Sequence, residues 1–112
     1  MFQKPADKVV FADDKLEKEF DLLHANGWLK NSIQKAILAL KQNAFCGQRI
    51  SKYLIPLEYI KKYDIDNLWW YPLPNALRLV YSTMTPTKFQ LLAVIIEYFD
   101  HKNYARRFGY KN

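Results

Sequence analysis

From Asn67 to Tyr81 the chain reads NLWWYPLPNALRLVY, a pattern that predicts a β-hairpin. Leu68-Trp69-Trp70-Tyr71 is aromatic and extended, Pro74-Asn75 has turn chemistry, and Leu77-Arg78-Leu79-Val80-Tyr81 returns with period-two alternation. That alternation puts Leu77, Leu79 and Tyr81 on one face and Arg78 on the other, and sends Trp69 and Trp70 to opposite faces. Pro72 marks its strand as an edge or a bulged one. A third apolar run, Gln90 to Phe99, predicts another strand after a turn at Met84 to Lys88, and it leads into Asp100-His101-Lys102.

Upstream, Lys8 to Ala12 is short, branched and apolar enough for a first strand. Asp13 or Asp14 then caps a helix carrying Leu16, Phe20 and Leu23 at helical spacing, and Asn26-Gly27 stops it near Ala25. Asn31-Ser32 caps a second helix with Ile33, Ala36, Ile37 and Leu40 on one stripe. Gly47 breaks the pattern, Pro56 opens a short helix through Tyr63, and Asp100 caps a closing helix from His101 to Phe108, ended by Gly109. The order predicts a single α+β domain over residues 1–112: a small mostly antiparallel sheet with an N-terminal helical hairpin packed on one face. Because the first strand reaches the sheet through that hairpin, it is free to pair in parallel.

Composition narrows the class. The chain has 112 residues, 50% hydrophobic and 16% aromatic, which suits one globular core. The single cysteine, Cys46, excludes an internal disulfide and a cysteine-based zinc cluster, and is expected to be a small apolar filler. No charged leader opens the chain and no run approaches ~20 apolar residues, so a cytoplasmic protein without a membrane partner is expected.

Charge adds a surface. The net charge is +6, and it is uneven: residues 27–62 carry Lys30, Lys35, Lys41, Arg49, Lys52, Lys61 and Lys62 against Glu58 alone. The C-terminal segment holds Lys102, Arg106, Arg107 and Lys111 with no acid. Two basic regions flanking a near-neutral sheet suit phosphates or an acidic protein segment, or are simply a solvated surface. Tyr53, Tyr59 and Tyr63 interleave with the connector's cations, as in surfaces that stack bases, although tyrosines roofing a sheet have the same pattern. His24, near a helix C-terminus, is assigned a structural role.

Several of these residues together resemble the RelE/ParE superfamily of toxins from toxin–antitoxin pairs. They are Asn67-Leu68-Trp69, the Leu73-Pro74-Asn75 turn, Leu77-Arg78-Leu79-Val80-Tyr81, which is similar to the family's (W/Y)RL(V/I)Y strand, and Asp100-His101-Lys102 with Tyr104. The resemblance implies a RelE-like fold and a basic toxin that cleaves messenger RNA on the ribosome with neither metal nor cofactor, neutralised by an acidic antitoxin. It implies Arg78, His101 and Tyr104 as catalytic residues: Arg78 gripping the phosphate with its planar fork, His101 as acid or base, and Tyr104 or Tyr110 orienting the hydroxyl or stacking on a base. Lys61, Lys62, Lys102, Arg106, Arg107 and Tyr110 are the implied RNA contacts.

Each assignment has a rival. Arg78 also fits a structural arginine paired with Glu97 or Asp100, and His101 fits an ordinary first-turn helix residue. Ribosome-dependent members carry cations on the strand before the arginine strand, where this chain has Trp69-Trp70-Tyr71. That substitution favours a non-enzymatic protein of the same fold, a ParE-like topoisomerase inhibitor or a silent RNA- or protein-binding member.

Overall fold

The computed structural model describes residues 4–108, with His101 described through its backbone alone. It is an α+β domain of four helices and a five-stranded mixed sheet. The strands are β1 (Lys8–Phe11), β2 (Gln48–Arg49), β3 (Trp69–Pro72), β4 (Arg78–Thr87) and β5 (Gln90–Phe99). The helices are α1 (Asp14–Asp21), α2 (Trp28–Gln42), α3 (Leu57–Tyr63) and α4 (His101–Phe108), and a 3-10 turn spans Lys52–Leu54. The sheet order is β1-β5-β4-β3-β2. β1 runs parallel to β5, and the other three pairings are antiparallel.

Alternation divides the core into two. Leu79, Tyr81, Leu91, Ala93 and Ile95 face α1 and α2, where Phe20, Ile33, Ala36 and Leu40 meet them. Val80, Val94 and Ile96 face the other way, where Tyr59 of α3 and Tyr104 and Phe108 of α4 cover them. So helices cover both faces, the second by the short helices of the tyrosine-rich connector and the C-terminus.

Boundaries moved where local chemistry had a competitor. α1 is capped by Asp13, whose Oδ1 accepts the Leu16 N–H at 2.8 Å, and it ends at Asp21 rather than near Ala25. α2 starts at Trp28, a turn before Asn31-Ser32, which lie inside the helix: the chain turns into it at Gly27, extended at ψ 150°. Met84 to Thr87 is not a turn but the end of β4, and Lys88-Phe89 makes the reversal into β5. β2 has no sequence signal, being two residues long. It can approach β3 because residue 47 is glycine: a Cβ there would lie 2.6 Å from the Trp70 carbonyl oxygen. Cys46 is exposed, not a core filler, since the chain there is leaving α2 for the sheet edge. No described helix is long and apolar enough to cross a membrane.

Candidate nucleic-acid interface

The hairpin turn fixes the geometry. Leu77 N–H donates to the Pro74 carbonyl at 3.3 Å, Leu73 N–H donates to the Leu77 carbonyl at 2.9 Å, and the central residues Asn75 and Ala76 have φ of 61° and 60°. Two positive φ values are the signature of a type I′ turn, whose twist matches that of the strands. The register that follows pairs Pro72 with Arg78 and Trp70 with Val80. Trp70 and Arg78 are thereby diagonal neighbours on one face. At the other end of β3 the Asn67 side chain fixes the pairing, its Oδ1 accepting the Thr83 N–H at 2.9 Å and its Nδ2 donating to the Thr83 carbonyl at 2.9 Å.

Arg78 lies between two rings. Its guanidinium carbon is 4.3 Å from the centroid of Trp70 and 4.4 Å from that of Tyr104. Cation–π contact at these distances satisfies the faces of the guanidinium and leaves its five N–H donors, which lie in its plane, available. Among the described residues Arg78 has no ion pair. Glu97 bonds Arg107 at 3.2 Å, and the Asp100 carboxylate accepts the Asn103 N–H at 2.9 Å as the cap of α4. The expected rival, an Arg78 tied to either acid, is therefore absent.

The stack continues inward. Tyr104 lies flat on Phe108 at 4.4 Å, Phe108 meets Tyr59 edge-on at 6.3 Å, and the far end is Arg107, 6.0 Å from the Tyr59 ring. Arg107 is pinned by Glu58 at 2.7 Å and Glu97 at 3.2 Å, and Glu97 also accepts the Tyr59 hydroxyl. Burial opposes the Arg107 charge, but the bond to Glu58 and the charge of Glu97 outweigh it and hold its pKa above the ordinary value. Burial first, then the bond to Glu97, push the Tyr59 phenol well above its usual range.

The predicted site residues thus separate. Arg78 and Tyr104 are together, but Tyr104 is 2% exposed and serves as the platform under Arg78 rather than as a solvent-facing hydroxyl. Arg107 is a strut between α4, α3 and β5 and not a free phosphate contact. Lys102 and Arg106 are exposed on α4, Lys61 is exposed on α3, and Lys62 lies 3.5 Å from Asp13. The backbone of His101 opens α4; its side chain and all of Tyr110 lie outside the described residues. Sequence reasoning missed the pairing of Trp70 with Arg78, although a turn centred on Asn75 implies it.

A cleft of about 230 Å³ lies beside Arg78, and a larger one of about 610 Å³ lies elsewhere, along Asp64, Asp66, Asn67 and Thr85. The larger cleft has two carboxylates and no cation in its lining, whereas the cleft beside Arg78 has that cation and no carboxylate. Among the described residues no three His, Cys, Asp or Glu side chains gather as metal ligands. Comparison with protein-family models, with curated proteins and with solved structures finds no match to this chain.

Proposed function

We propose that this protein is a RelE-like toxin that binds messenger RNA on the ribosome and cleaves it without metal, with an acidic antitoxin as its cytoplasmic partner. The observation that carries the reading is the Arg78 guanidinium, held by its faces between Trp70 and Tyr104 with no ion pair among the described residues, in a chain of net charge +6. In the reaction a ribose 2′-hydroxyl loses its proton and attacks the adjacent phosphorus. The bond to the 5′-oxygen breaks, that oxygen takes a proton, and a 2′,3′-cyclic phosphate remains. Arg78 stabilises the charge that builds on the phosphate oxygens. His101, heading the helix that carries Tyr104, is the candidate acid or base, and Lys102 and Arg106 add positive field along α4.

The alternative is a binding protein of the same fold with no chemistry. It is favoured by β3, whose Trp69, Trp70 and Tyr71 supply no cation. Primer extension on messages from cells after brief induction separates the two. New 5′ ends within translated frames, lost in Arg78→Ala, are the expected result. Intact messages alongside growth arrest would retire the nuclease and leave the binding protein.

A further inference from the structure

The hairpin turn holds a residue that its backbone disfavours. The second central position of a type I′ turn is glycine's by preference, because a Cβ at positive φ crowds the backbone. Here it is Ala76, at φ 60°. A strained residue is kept where its surroundings or its use require it, and Ala76 lines the cleft beside Arg78 together with Trp70, Pro72, Leu73 and Leu77. Its walls are apolar and aromatic, and one cation with no acidic partner among the described residues stands at its margin. At about 230 Å³ it is smaller than the ~300–1,000 Å³ that drug-sized ligands occupy. A cleft of this size and lining suits one flat ring whose attached anion reaches the Arg78 guanidinium.

We infer that this cleft is a nucleobase slot: it receives the base of the nucleotide whose phosphate Arg78 grips. The inference rests on the phosphate-binding reading of Arg78, and it adds a base contact that the reading does not need. An aromatic acidic peptide would share part of this chemistry. The exposed Lys102 and Arg106 on the adjoining helix favour a ligand with repeated phosphates.

The test is an NMR titration of the full chain with adenosine 3′-monophosphate, uridine 3′-monophosphate, ribose 5-phosphate and the dipeptide Asp-Phe. The signals followed are the Trp70 indole N–H, the Ala76 amide and the Arg78 Nε–H. Either nucleotide should bind about tenfold or more tightly than ribose 5-phosphate, as base stacking on aromatic side chains predicts. Ala76→Asn, which tolerates the left-handed backbone but fills the cleft, should bring nucleotide and sugar phosphate to parity. Ala76→Gly should raise the melting temperature by relieving the turn, which also shows that the turn itself does not require alanine. Equal binding of ribose 5-phosphate and nucleotides, all weakened by Arg78→Ala, would overturn the slot and leave the phosphate clamp standing. Binding of Asp-Phe as tight as the nucleotides would overturn a nucleobase as the occupant. If no phosphate compound shifts the Arg78 signal, the clamp itself fails and the slot with it.

Discussion

Arg78 and Arg107 stand at opposite ends of one column of rings, Tyr104, Phe108 and Tyr59, with Trp70 closing over the outer face of Arg78, yet they are held in different ways. Arg107 is fixed through its donors, by Glu58 and Glu97, and its guanidinium has little left to offer a ligand. Arg78 is fixed through its faces, by Trp70 and Tyr104, and its donors have no acidic partner among the described residues. An arginine bound edge-on to carboxylates is part of the structure; one bound face-on to rings is oriented without being neutralised. The pinned end holds α4 against the sheet, and α4 is what presents Tyr104 to the free end. The column therefore joins a cation paired with carboxylates to one held by rings alone among the described residues.

The largest expected effect is on RNA binding. Arg78→Ala should weaken binding to single-stranded RNA about 10- to 100-fold, the loss of a charged hydrogen-bonding group. Arg107→Gln should weaken it less than about threefold, because that cation is already neutralised by its neighbours. Fluorescence anisotropy at one fixed salt concentration reads both. Equal losses would erase the distinction between the two arginines.

Stability should reverse the order. Removing one partner of a buried ion pair costs ~3–5 kcal/mol; with Arg107 and Glu97 about one-third exposed, Arg107→Ala should cost about 2 kcal/mol. Arg78→Ala should cost about 1 kcal/mol, from the loss of two ring contacts. Urea unfolding measures each. In a Glu97→Gln background the Arg107→Ala cost should shrink, and an unchanged cost would show that the strut acts through something other than that carboxylate.

These two arginines also mark what the sequence could and could not convey. Arg78 was legible because a strand's alternation is local: a cation amid Leu77, Leu79 and Tyr81 is conspicuous within five residues. The hairpin was legible too, but its register was not: the turn read at Pro74-Asn75 has Asn75 and Ala76 as its central residues, and one residue decides which side chains oppose each other. The role of Arg107 was hidden because its partners Glu58 and Glu97 are 49 and 10 residues away, and only the packing of α3 and α4 on one face brings them together. On charge alone it was indistinguishable from Lys102 and Arg106. β2 was invisible for a similar reason, being defined by its partner Trp69-Trp70 and by the glycine before it rather than by any pattern of its own. The strained Ala76 needed a backbone angle, which no residue type announces.

Alkaline pH should act on the pinned end first. The Tyr59 phenol is raised above its usual pKa by burial and by Glu97, and Tyr81 on the other face is raised by burial. Both are protonated in the folded state where the unfolded chain ionises, so their contribution is complete below the unfolded pKa near ~10 and is lost as pH rises through the folded value. Each should steepen the loss of stability by up to about 1.4 kcal/mol per pH unit above ~10. Tyr59→Phe should flatten that limb in urea titrations from pH 9 to 11. If the limb is as steep without the hydroxyl, the Tyr59–Glu97 bond is not its source.

The smallest expected effect lies at the other anchor of α3, where Asp13 receives the Tyr63 hydroxyl at 2.9 Å and Lys62 at 3.5 Å while capping α1. The Leu16 N–H first, then Tyr63, hold its carboxyl below the ordinary pKa. A lowered pKa means that its contribution is present above the unfolded value near ~3.9 and is lost as pH falls through the folded one. Asp13→Ala should cost about 1 kcal/mol through loss of the cap at any pH. Asp13→Asn keeps a capping oxygen without the charge, so it should melt below wild type at pH 6, by a margin that narrows as pH falls below ~3.9. A margin that does not change as pH falls from 6 to below ~3.9 would show that the carboxylate's charge contributes nothing here. The end at Arg78, by contrast, has no carboxylate in its stack among the described residues, so the Arg78–Trp70 contact should leave the indole signal of Trp70 unmoved over the same acid titration.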